Sequence, residues 1–262
     1  MSRVAILVNE QNREGHCVFT RLVPYAHVCR TPEELVHALQ GYPFEALILS
    51  VPDQAPQATL DLIRNVRQTH PSMYIVVWSE RLHSSPNTAK FIVDAARAGV
   101  NDCVLTETDA CSAVQRRIAD GMYEAFVLRH VIPATEPLVS PLIQSFITTA
   151  IRRGQGTLSV DGIAKSLGTR RQTIARACHK ADLPSPLELV SWCRLLLATA
   201  ILDQTRVNGD QIGPRIFGSP SGFRNTLRRR VGVRPRELQA VGAFQTVLSA
   251  LTARLQQSKM GS

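Results

Sequence analysis

The chain has 262 residues, 44 % of them hydrophobic, with 30 Lys/Arg against 21 Asp/Glu. That length suits two ordinary domains, and that apolar content excludes global disorder. The longest apolar runs are too short to span a bilayer, so no membrane partner is expected. Charge divides unevenly. Residues 1–140 hold 12 Lys/Arg and 15 Asp/Glu, a net of −3; residues 141–262 hold 18 and 6, a net of +12. A strongly basic second half points to a polyanion, most simply double-stranded DNA. The opening MSRVAILVNEQN carries one Arg and a five-residue apolar run, which suits a strand better than a secretion signal. The cysteines, at 17, 29, 103, 111, 178 and 193, form no C-x-x-C and have no His pairs at zinc spacing. They read as reduced, mostly buried thiols of a cytoplasmic protein, with no metal and no other cofactor expected.

The first half alternates strands and helices. RVAILV (3–8) reads as a buried strand and AHVCR (26–30) as a second. TPEELVHALQ (31–40) opens a helix with Thr31 at the N-cap, Pro32 at N1 and Glu34 at N3, a capping-box pattern. Leu35, Val36 and Leu39 form its apolar stripe. A third strand, 46–51, ends near Ser50. A helix over 59–70 carries Leu60, Ile63 and Val66 and stops before Pro71. MYIVVWS (73–79) is a fourth strand, NTAKFIVDAARAG (87–99) a helix closed by Gly99, and DCVL (102–105) a fifth strand. A last helix starts near Thr108 and runs to about His130. Strands alternating with helices imply a doubly wound, mostly parallel five-stranded sheet covered on both faces. LRHVIPATEPLVSPLI (128–143) then spaces Pro133, Pro137 and Pro141 four apart, which predicts extended linker rather than helix.

The second half predicts an all-α domain built on two helix-turn-helix units. In LSVDGIAKSLGTRRQTIARACHKADLPSP (158–186), Ser159 caps a helix with Val160, Ile163, Ala164 and Leu167 inward. Gly168 takes the left-handed turn, and Thr169 caps a second helix with Ile174, Ala177 and Cys178 inward. Arg170, Arg171, Gln172, Thr173 and Arg176 then face outward as donors for phosphates and base edges. With Thr169 as cap, Gln172 falls at N3, where it also suits a capping box. A long apolar helix (187–205) follows, then a second unit over 207–238. Its support helix, NGDQIGPRIFGS, holds Gly209, Gly213 and Pro214, so it is expected to be short, kinked or dynamic. The tail's Phe244, Val247, Leu248, Leu251 and Leu255 make one amphipathic stripe, expected to pack on its own domain.

Two resemblances follow. The length, spacing and AGVNDCVL of residues 3–125 resemble the receiver domain of bacterial response regulators. That resemblance implies a phosphorylation site, and its positions here hold Asn9 and Glu10 for the acidic pair, Ser50 for the phospho-accepting Asp, Ser79, and Thr106 for the Lys. Aspartyl phosphorylation needs a carboxylate nucleophile and carboxylates for Mg²⁺, so this reads as a degenerate, pseudo-receiver site. Asp53, three residues past the strand, reads as a turn residue beside Pro52 rather than a substitute acceptor. The resemblance implies a dimerising surface at the last helix and fifth strand, with Arg116 and Arg117 on that helix and Arg97 at the end of the helix before that strand as its candidate residues. Residues 141–240 resemble the AraC-type DNA-binding domain, on SLG with SP, RLLLATAILDQT, and the closing F…RRR-x-G-V-x-P-x-E-L. That resemblance puts base readers at Gln172, Ala175 and Arg176, and near Ser221, Gly222, Arg224 and Asn225, with Arg228 and Arg229 toward phosphate.

The expected organisation is a receiver-like domain over 1–130, a Pro-containing linker over 131–140, an AraC-type domain over 141–240 and a helical tail over 241–262. The expected function is a sequence-specific DNA-binding transcriptional regulator. Its receiver-like domain would serve dimerisation or partner or ligand sensing without phosphorylation, with a homodimer and RNA polymerase as further partners. The first unit is expected to supply most sequence readout and the second mainly electrostatic grip. The alternative is an interaction protein or non-specific DNA binder that modulates another regulator. An enzyme is not expected: no G-x-G-x-x-G follows strand one, there is no P-loop, no glycine elbow surrounds Ser50, and the seven His are dispersed.

Overall fold

The computed structural model describes residues 4–8, 26–51, 56–79, 86–105, 111–152, 159–205, 207–238 and 242–260. The chain divides into two compact units, Met1–Ala125 and Phe126–Ser262.

In the first unit, five strands form one parallel sheet in the order β2-β1-β3-β4-β5. They are β1 (Val4–Leu7), β2 (His27–Cys29), β3 (Ala46–Ser50), β4 (Tyr74–Ser79) and β5 (Asp102–Leu105). This is the doubly wound order whose switch point lies between β1 and β3. The helices are α1 (Pro32–Gly41), α2 (Pro56–Thr69), α3 (Pro86–Ala98) and the first part of α4 (Cys111–Thr135). Strand residues alternate between two apolar layers. Ala5, Leu47, Leu49, Ile75 and Val77 pack with Leu35 and Leu39 of α1, Leu60, Ile63 and Val66 of α2, and Phe91 and Ala95 of α3. Val4, Ile6, Ala46, Ile48, Val76 and Trp78 pack with Val114 and Ile118 of α4. Burial on both faces is why the strands read as continuous apolar runs rather than alternating ones.

Local chemistry fixes the ends. Thr31 caps α1 by accepting from the Glu34 N–H at 3.2 Å. The Glu34 carboxylate accepts from Arg30 N–H at 2.7 Å, so the box closes one residue earlier than the sequence pattern suggests. Val36 is exposed and Ala38 takes its place in the α1 stripe. Gly99 closes α3 with a φ of 104°. Beneath the N-terminal ends of β4 and β5, Arg67 donates to the carbonyls of Pro71, Met73 and Gly99 and to Asn101 Oδ1, at 2.6 to 2.8 Å. Asn101 Oδ1 also accepts from Ile75 N–H at 2.8 Å. One guanidinium thus ties two αβ loops together at the edge opposite Ser50.

The expected extended linker is in part helix. α4 continues through Pro133 to Thr135. A proline removes one ladder donor, but the turn beyond it restores the ladder: Glu136 N–H reaches Ile132 O at 2.9 Å, and Leu138 and Val139 N–H both reach Thr135 O. The fully buried Thr135 hydroxyl lies 2.8 Å from Val131 O and 2.9 Å from Gln144 Oε1.

The second unit is all helical. α5 (Pro141–Arg152), α6 (Val160–Ser166), α7 (Arg171–Lys180), α8 (Pro186–Gln204), α9 (Gly209–Phe217), α10 (Pro220–Val231), α11 (Pro235–Leu238) and α12 (Ala243–Met260) follow in order. α8 is buried nearly all round, as a helix without a polar stripe must be. Its start is held by a Ser185–Glu188 capping box. α12 packs on α8, with Phe244, Val247, Leu248, Leu251 and Leu255 all buried. Asp203, near the end of α8, accepts from the N–H groups of Ala243 and Phe244 at 3.0 and 2.8 Å. The tail helix is therefore part of this unit's own core.

Burial keeps the thiols protonated. Cys178 is pushed up to about 11 and Cys193 to about 12, and burial also raises Cys29 and Cys103. All four are free cysteines.

Candidate nucleic-acid interface

The first helix pair is α6–α7. Ser159 Oγ accepts from Gly162 N–H at 3.0 Å and starts α6. Val160, Ile163 and Ala164 of α6 and Ile174 and Cys178 of α7 are all buried. Gly168 turns the chain at a φ of 64°. Thr169 is not the cap of α7. Its N–H donates back to Ala164 O at 3.0 Å, so it still closes the preceding turn. Arg170 is the N-cap and makes no side-chain capping bond. Gln172 therefore sits at N2, not N3, and no capping box holds it. Arg170, Arg171, Gln172, Thr173 and Arg176 are all exposed, together with Ala175. The start of α7 thus combines a helix N-terminus that has no side-chain cap with exposed guanidinium groups, a combination suited to phosphate.

The second pair is α9–α10. Asn208 and Gln211 form a reciprocal capping box at 3.0 and 3.1 Å. α9 is short, as the sequence suggests, but it is closed and packed. Gly213 is buried where a Cβ would lie 2.6 Å from Pro220 Cα and 2.8 Å from Ser219 O. The glycine is therefore what lets α10 approach α9. Pro214 lacks only the N–H that would reach Asp210 O near the helix start. Gly218, at a φ of 77°, makes the turn, and Ser219 Oγ caps α10 by accepting from Gly222 N–H at 3.0 Å. Ser221, Arg224, Asn225, Arg228 and Arg229 are exposed. Gly222 is half-buried, and its missing Cβ would meet Phe217 Cβ and Ser219 Oγ at 3.1 Å, so the chain packs closely there.

Arg230 turns away from that face and pairs with Glu188, the residue that also completes the α8 capping box. One carboxylate thus joins the start of α8 to the end of α10.

A cleft of about 710 Å³ opens beside α10, lined by Ser221, Arg224, Asn225 and Arg228 together with Asn208 and Arg234. A hollow of about 570 Å³ lies at the α6–α7 turn, lined by Lys165 and Arg170 to Gln172 among others. Sequence reasoning missed Arg234 and Lys165. The signal for Arg234 was its place inside GVRPREL, read there as fold signature rather than as surface.

At the sheet, Ser50 ends β3 at 5 % exposure, paired in register with Trp78. Ser79 ends β4. Asn9, Glu10, Asp53 and Thr106 lie outside the described residues. Of the arginines expected at a dimer face, Arg117 pairs with Asp102 at 2.8 Å and Arg97 with Asp94 at 3.5 Å, while Arg116 is exposed. Among the described residues no group of three His, Cys, Asp or Glu is placed to hold a metal, and no helix is long and apolar enough to cross a membrane.

The fold and these helix pairs define a two-part protein: a receiver-like parallel sheet followed by a helical unit with two outward-facing cationic helices. No family model matches the sequence, and no curated protein does. Similar solved structures include a response regulator from Thermotoga maritima, 16 % identical over 47 % of this chain and 98 % of that one, at a TM-score of 0.38. Full-length FixJ from B. japonicum is 15 % identical, covering 76 % of this chain and 96 % of its own, at 0.40. RcsB from Salmonella enterica serovar Typhimurium, solved bound to promoter rprA in the presence of phosphomimetic BeF3-, is 16 % identical over 73 % and 98 %, at 0.33. Likenesses this distant leave the ligand of this chain to be argued from its own residues.

Proposed function

We propose that this chain is a cytoplasmic, sequence-specific DNA-binding transcriptional regulator. Its helical unit is an AraC-type output domain, and its sheet unit is a pseudo-receiver that serves dimerisation or partner or ligand sensing. It acts by binding rather than by catalysis. The observation that carries the reading is the exposure of all ten candidate contact residues: Arg170, Arg171, Gln172, Thr173, Arg176, Ser221, Arg224, Asn225, Arg228 and Arg229. Each lies on, or at the N-cap of, the second helix of a helix pair whose apolar side is buried. Such a helix suits a major groove, where Arg and Gln discriminate base edges and further Arg residues bind phosphate.

The pseudo-receiver reading rests on the residues at the vacated positions. Ser50 offers a hydroxyl where aspartyl phosphorylation needs a carboxylate. Homodimer formation and contact with RNA polymerase belong to the same proposal. Genome-wide mapping of bound sites tests it: a recurrent motif with two half-sites is expected, and binding without any motif would contradict it. Labelling with acetyl phosphate tests the receiver half. No label is expected, and label lost in Ser50→Ala or Asp53→Asn would overturn it.

A further inference from the structure

The two helix pairs share a feature that DNA binding by itself does not call for. Asp161 is the second residue of α6, and Asp210 is the second residue of α9. Each carboxylate reaches an arginine on the second helix of its own pair: Asp161 to Arg171 at 3.6 Å, and Asp210 to Arg224 at 3.7 Å. All four side chains are more than half exposed. Among the described residues, Arg170, Arg176, Arg228, Arg229 and Arg234 have no ion-pair partner. The carboxylates also line the two hollows beside the recognition helices, Asp161 with Lys165 and Arg170, and Asp210 with Arg228 and Arg234.

We infer that Asp161 and Asp210 are specificity-determining residues that weaken binding to DNA of the wrong sequence. The inference rests on the DNA-binding reading above. A carboxylate at this face repels the phosphate backbone and competes for the arginine that a phosphate would take. An exposed ion pair is weak, so the competition is small against an arginine with a well-formed contact to a base edge. It is comparable with a single loose phosphate contact, which is what holds a protein on random sequence. Two such carboxylates, one per helix pair, therefore act against non-specific more than specific binding.

The rival reading is purely structural. An acidic residue in the first turn favours a helix through its dipole. That role predicts a lower melting temperature in the Asn variants and no change in DNA preference.

The experiment compares full-chain wild type with Asp161→Asn and Asp210→Asn. The probes are a random-sequence duplex and the tightest duplex selected from a random library. Each variant should bind the random duplex about threefold tighter and the selected duplex within about twofold of wild type. The gain of Asp210→Asn should shrink in an Arg224→Ala background, and that of Asp161→Asn in an Arg171→Ala background, leaving only the part due to direct repulsion of phosphate. Unchanged affinity for the random duplex would overturn the inference. So would an equal gain on both duplexes, or a gain that persists in full without the arginine, since either reports bulk charge alone. A wild-type chain that binds neither duplex would sink the DNA-binding reading itself, and this inference with it.

Discussion

The two helix pairs are built by different local means. α6–α7 turns through Gly168 and starts its second helix at Arg170 without a side-chain cap. α9–α10 turns through Gly218 alone, caps both helices with side chains, and needs Gly213 to bring them close. The glycine and proline that break the helical pattern of α9 are therefore not signs of decay. Gly213 is the contact surface, and the capping box at Asn208 stabilises the short helix around Pro214.

Gly213→Ala drives a Cβ into backbone atoms of Pro220 and Ser219 and should cost about 3 kcal/mol in denaturant unfolding. Gly162→Ala, a glycine inside α6 of the first pair with no backbone atom near its absent Cβ, is the control. A tolerated Gly213→Ala would mean that the pairs are not packed as described.

Under the proposed function, the first pair should supply most of the sequence readout and the second mainly electrostatic grip. Arg176→Ala should remove about 2 kcal/mol from binding to the preferred sequence and relax preference at one position. Arg228→Ala should weaken all sequences alike and lower the salt slope. These are separated by binding to a panel of single-base variants, and equal loss of specificity from both would erase the distinction between reader and grip. Asp203→Ala tests the scaffold common to both pairs. Loss of the α12 cap should cost about 1 kcal/mol, read in thermal melting. Gly162→Ala should move stability by less than about 0.5 kcal/mol, because its Cβ meets only Ser159 Oγ, at 3.1 Å, and the gain in helix propensity offsets that contact.

Thiol chemistry gives a further check on the second unit. A raised pKa keeps the thiolate fraction small until pH nears the shifted value, about 11 for Cys178 and about 12 for Cys193. Alkylation of the native chain at pH 8 should therefore leave both unlabelled, and unfolding should release them.

How much was legible in the sequence depends on the range of the forces involved. The sheet was legible because buried parallel strands are continuous apolar runs and their helices carry a 3.6-residue stripe. Ser159, Gly168 and Gly99 were legible because capping and left-handed turns are local. The cap of α7 was misplaced by one residue because Thr169 N–H reaches back to Ala164 O, a backbone bond that the N-cap preference for Thr over Arg does not register. The continuation of α4 past Pro133 was not legible, because the ladder is restored after the proline and Thr135 is held by Gln144 from α5. Gly213 looked like a defect because its reason lies on another helix. The Asp161–Arg171 and Asp210–Arg224 pairs were missed for the same reason, since each joins two helices across a turn.

The proposed function stands or falls on sequence-specific binding of DNA by the helical unit. The direct measurement is a salt series of equilibrium titrations with the full chain, comparing a duplex carrying the mapped motif with a scrambled duplex of the same composition. A preference of about a thousandfold or more is expected at physiological salt, with both affinities falling as salt rises. Equal affinities with the same salt slope, or no binding to either duplex, would contradict it.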